Sequence, residues 1–62
     1  MYLKVIIGGS EKYYGGKDKK GEMIFTDKKR AKEYSPRAKG SLNQVIYDIE
    51  KNYGGKCEYV EN

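Results

Sequence analysis

The sequence predicts a small α+β domain with elements in the order β-β-α-α-β. Three antiparallel strands form a sheet, and one main amphipathic helix packs on one of its faces. Three observations predict this: an alternating β-branched run at the start, a helical apolar stripe in the last third, and a short strand-like run behind it.

The first element is "YLKVIIGG", where Leu3, Val5 and Ile7 alternate onto one face and Tyr2, Lys4 and Ile6 onto the other. Gly8-Gly9 ends it. The second is "EMIFT", in which the neighbours Ile24 and Phe25 face opposite ways. Two strands so near in sequence are expected to pair antiparallel. Lys12, Tyr13 and Tyr14 extend one arm of that hairpin, and "GGKDKKG" is its expected mobile tip. The first strand is the most apolar and is placed in the middle of the sheet.

Thr26 or Asp27 can cap a short helix over "DKKRAKEY", with Ala31 and Tyr34 inward. Ser35-Pro36 stops it, because the residue before proline disfavours the α region. "RAKG" is a connector. Ser41 and Gln44 then have the spacing of a capping box. Behind them Leu42, Val45, Ile46, Ile49 and Tyr53 line one helical face, closed by Gly54 at the C-cap. "KCEYV" is the last strand, with Cys57 and Tyr59 on one side and Glu58 and Val60 on the other.

All 62 residues are read as one domain, 1–62. A chain this short buries about 60% of its unfolded surface, leaving a core of roughly a dozen side chains. That volume is small for a water-excluding active site, and the chain has no histidine, the commonest general base and neutral metal ligand. Cys57 is the single cysteine, so an intrachain disulfide and a cysteine-based zinc site are both excluded. Asp48 and Glu50, two apart on a helix, diverge. The expectation is a protein that is not an enzyme, with no cofactor and no metal. The apolar run at the start is too short for a signal-peptide core or a membrane span, so a cytoplasmic protein is expected.

Charge is segregated along the chain. Residues 12 to 39 hold ten Lys and Arg against four acids, while the remainder holds three Lys against five acids, within an overall +4. Such a field suggests an anionic partner. Tyrosine is the second excess, seven against one Phe. "GGSEKYYGGK" holds glycine, serine and lysine but lacks the phosphate-loop spacing and the following helix, so turn glycines explain it. The expected partner-binding surface is Tyr13, Tyr14, Lys17, Lys19, Lys20, Lys28, Lys29, Arg30 and Lys32. A second expected surface is the sheet face turned away from the helices, carrying Tyr2, Ile6 and Tyr59. Such a face can stack bases, as in some RNA-binding modules, or form a protein-binding or homodimer seam.

The stretch "MIFTDKKRAKEYS", leading into a second helix and a closing strand, resembles in layout small accessory proteins of phages and other mobile elements. Anti-defence factors, including the anti-CRISPR group, are among these. The resemblance implies a non-enzymatic binding module whose partner is a nucleic acid or a nucleic-acid-processing complex. The alternative is a protein–protein or homodimerisation module using the open sheet face.

Overall fold

A computed structural model describes residues 1–61. It shows four strands and one α-helix: β1 (Tyr2–Ile7), β2 (Ser10–Lys17), β3 (Met23–Thr26), α1 (Lys39–Tyr53) and β4 (Lys56–Val60). The sheet is antiparallel throughout, in the order β3-β2-β1-β4.

The α+β class and the helix on one sheet face are as expected, but the three-stranded sheet is corrected to four. The extra strand is β2, where a connection with one extended arm is expected from the sequence. Gly8 and Gly9, at φ 58° and 82°, form the two-residue turn between β1 and β2, with Ile7 opposite Ser10. Positive φ at both positions suits the twist of a tight hairpin and favours glycine. β1 is interior, as expected, but its neighbours are β2 and β4, and β3 lies outside β2. Glycines inside β2 hid the strand. Gly15 lies beneath β3 side chains, where an added Cβ would meet Ile24 Cγ2 at 3.1 Å and Thr26 Cγ2 at 3.2 Å. Gly16, at φ 93°, sits in the register shift between Tyr14 and Lys17. Such bulges favour glycine for that backbone angle.

The expected first helix, residues 27 to 34, is also corrected. Asp27 does cap a turn, its Oδ1 accepting from the Arg30 backbone N–H at 3.1 Å, but only a single 3-10 turn, Lys28–Arg30, follows. The chain then extends because the sheet offers backbone partners: Lys32 N–H donates to the Tyr14 carbonyl, and Tyr34 N–H to the Met1 carbonyl at 2.7 Å. The Met1 amino group donates back to the Tyr34 carbonyl at 2.7 Å. An eight-residue helix is marginal by itself, so these bonds decide the conformation. A second 3-10 turn, Pro36–Ala38, leads directly into α1. Ser41 is therefore inside the helix, and the expected capping box with Gln44 does not form. The Gln44 amide instead donates to Asp48 Oδ1 at 3.0 Å, one turn on. Gly54 ends α1 in the left-handed conformation at φ 66°, as expected.

The core lies between the sheet and α1. Leu3, Val5, Tyr14, Leu42, Ile49 and Met1 are buried, with Val45, Ile46, Phe25, Cys57 and Tyr59 packed around them. No helix of the described residues is long and apolar enough to cross a membrane.

Gly55 marks the closest approach of chain segments. A Cβ there would lie 2.8 Å from Ile7 Cγ1 and 3.0 Å from the Ile6 carbonyl oxygen. Gly55→Ala is expected to lower unfolding free energy by about 1–3 kcal/mol, through overpacking that a backbone atom cannot relieve. Gly40→Ala, in open space near the start of α1, is expected to raise it by up to about 1 kcal/mol. Urea titrations of both variants check the contrast; equal midpoints would contradict it.

Candidate nucleic-acid interface

A sheet with one helix has one covered face. On the other, residues opposed across the strands share a side, so the register fixes its membership. Tyr2 stands opposite Val60, Lys4 between Tyr13 and Glu58, Ile6 between Glu11 and Lys56, and Thr26 beyond Tyr13.

Two groups organise this open face. The Tyr2 and Tyr13 rings meet edge to face, with centroids 6.4 Å apart and planes at 86°. The Lys28 ammonium lies 5.6 Å from the Tyr2 ring centre, within cation–π range. At the centre, Lys4 lies between two carboxylates, 3.0 Å from Glu58 and 3.6 Å from Glu11. Bonding to Glu58 raises its pKa, opposed in part by burial, with Glu11 adding to the rise. Lys4 is thus committed within the sheet, whereas Lys28 comes from an exposed turn and meets the Tyr2 ring face.

The expected surface is only partly assembled. Tyr14 is corrected: it is 3% exposed and stacks on Tyr34, ring centres 6.3 Å apart, so it belongs to the core. Burial pushes its hydroxyl pKa upward. Tyr13, its neighbour in β2, points the opposite way. Lys17, Lys19 and Lys20 lie at the β2–β3 tip, whereas Lys28, Lys29 and Arg30 lie at the other end of β3. The tip is not the loose loop expected. Asp18 Oδ1 accepts from the Lys20 and Glu22 backbone N–H groups at 2.9 Å each, and Asp18 N–H donates to the Glu22 carbonyl. This closed turn displays Lys19 and Lys20 outward. Lys32 lies on the helix side, against Gly16 and 5.5 Å from the Tyr34 ring centre.

Tyr59 is corrected too. It stands opposite Leu3 and so faces the helix, with the Lys39 ammonium 5.0 Å from its ring centre. The expected trio on the open face reduces to Tyr2 and Ile6. Sequence reading missed Ile24 and Thr26, which extend the open face across β3; alternation from Phe25 was the signal for both. No cluster able to hold a metal occurs among the described residues.

Comparison with protein-family models, with curated proteins and with solved structures found no match.

Cys57 lies opposite Val5 on the helix side, and burial together with Glu50 pushes its thiol up to about 11. Less thiolate is then present near neutral pH, so slow reaction with Ellman's reagent at about pH 8 is expected. An unfolded thiol, titrating near 9.0, carries about a hundredfold more thiolate at that pH. Added denaturant should release fast labelling. Native labelling at the unfolded rate would contradict the assignment.

Proposed function

We propose that the chain is a non-enzymatic binding module that engages a nucleic acid, or a nucleic-acid-processing complex, through its uncovered sheet face. The observation that carries this reading is the Tyr2–Tyr13 pair with the Lys28 ammonium 5.6 Å from the Tyr2 ring centre. Half-exposed rings offer surfaces on which bases stack whatever their identity, while mobile cations take the phosphates. Lys29 and Arg30 follow Lys28 in the same turn, and Lys17, Lys19 and Lys20 supply positive charge at the far end of β3. A strand lying across β3 and β2 would meet cations at both margins and rings between them. The layout resemblance to phage and mobile-element proteins supports the same reading. It extends the proposal to occupation of a host-defence nucleoprotein, as anti-CRISPR proteins do.

Fluorescence anisotropy with labelled single-stranded oligonucleotides tests direct contact. Affinity should fall steeply between about 50 and 200 mM salt, with a log–log slope of about −0.7 per phosphate contact. Tyr2→Ala and Tyr13→Ala should each weaken binding by about 1–3 kcal/mol. Lys28→Ala should flatten the salt slope by roughly one contact. Affinity that is flat in salt and indifferent to Tyr13→Ala would exclude direct nucleic-acid contact by this face. A pull-down with and without nuclease then distinguishes a nucleoprotein from a free nucleic acid.

A further inference from the structure

β4 (Lys56–Val60) is an edge of the sheet, paired with β1 on one side and with no strand on the other. Edge lysines commonly guard such backbone against stray pairing. Lys56 is one of these: exposed, on the open face, and without an ion pair among the described residues. A strand that sets a carboxylate opposite such a lysine replaces repulsion with a favourable cross-strand pair. Glu58 provides one on the same strand, two residues along and on the same face.

We propose that β4 pairs antiparallel with β4 of a second copy of this chain, Cys57 opposite Cys57, joining two four-stranded sheets into one of eight strands. Charge selects this register. A two-fold axis perpendicular to the sheet keeps each face on its own side, so opposed residues share parity. Centring on Glu58 would oppose two like carboxylates and set Lys56 against Val60. Centring on Tyr59 sets Glu58 against Val60. Centring on Cys57 sets Glu58 against Lys56 of the partner subunit, and Lys56 against Glu58 of the partner subunit.

The existing ion pair then lengthens into a row. Glu58 already lies 3.0 Å from Lys4, and the arriving ammonium takes its outer side. On the helix face Tyr59 comes opposite Gly55 of the partner subunit, where no side chain competes. The β3 edge is unsuited to the same pairing, because antiparallel pairing would bring Lys19 and Lys20 at one end of β3 beside the basic turn, Lys28 to Arg30, at the other end of the second copy's β3. The paired β4 ladder is short, so the dimer forms in roughly the micromolar range or weaker. Both open faces then lie on the same side of the assembly. This pairing does not depend on what the open face binds.

Sedimentation equilibrium of the full chain, up to about millimolar concentration so that a weak dimer is populated, should show twice the 7.1 kDa chain mass. Lys56→Glu opposes carboxylates at both symmetry-related positions and should weaken association about tenfold or more. Lys56→Arg, which keeps the charge and leaves the Glu58–Lys4 pair in place, should retain association. Lys51→Glu, the same charge change on the exposed helix surface, should leave association unchanged. Amide exchange of the unmodified chain gives a reading that needs no variant: alternate β4 amides should slow as concentration rises. A chain that remains monomeric overturns the proposal. So does a dimer indifferent to Lys56→Glu, or one whose β4 amides show no concentration dependence.

Discussion

A single helix has to cover a four-stranded sheet, and it can cover only one side. This constraint organises the molecule. Leu3 and Val5 are fully buried because they face α1, whose Leu42 and Ile49 meet them from the other side. Every strand inherits a parity from β1 through the register: Tyr14, Phe25, Cys57 and Tyr59 face the helix, and Tyr13, Thr26, Glu58 and Val60 face away. A one-residue slip would exchange these sets, burying Lys4 and exposing Leu3. The tight Gly8-Gly9 turn therefore does more than reverse the chain, because it fixes the parity of β2.

The uncovered face has to tolerate water without giving up the sheet. It does so with side chains that are apolar in body and polar at the tip. Tyr2 and Tyr13 set their rings edge to face, and Lys4 holds its ammonium between Glu11 and Glu58. Side chains that solve the solvation problem in this way are also those that recognise bases and phosphates. The uncovered face and the proposed interface are thus consequences of one shortage of helix.

The helical stripe from Leu42 to Tyr53, the parity of β1 and the last strand were legible because hydrophobic periodicity is a local property. What escaped was set by partners distant in sequence. β2 carries Gly15 and Gly16, poor strand formers that are accommodated only because β3 lies over one and a bulge uses the other. Residues 27 to 34 have the composition of a helix, yet their backbone bonds to Tyr14 and Met1 outweigh that preference. The site failed for the same reason. Tyr13 and Tyr14 are neighbours in sequence, but β2 is a strand, in which adjacent residues face opposite ways. The opposite faces of Tyr2 and Tyr59 depend on the β1–β4 register, which neither strand encodes alone.

Charge shows how topology redistributes a linear excess. The basic stretch of residues 12 to 39 is dispersed by the β2–β3 hairpin to the two ends of β3, with Lys32 turned to the helix side. At the opposite edge, β4 alternates Lys56 with Glu58. The sheet consequently has an electrostatic direction across its strands, positive at β3 and balanced at β4. Such a field would attract an anion toward β3 over several ångströms of solution, a range that salt shortens. The balanced edge exerts no such pull, so what it accepts is decided by short-range charge register and backbone bonding. One small sheet in this way separates a positive edge from a balanced one, because β3 and β4 lie at opposite ends of the strand order, and the two proposed interactions draw on different ranges of the same electrostatics.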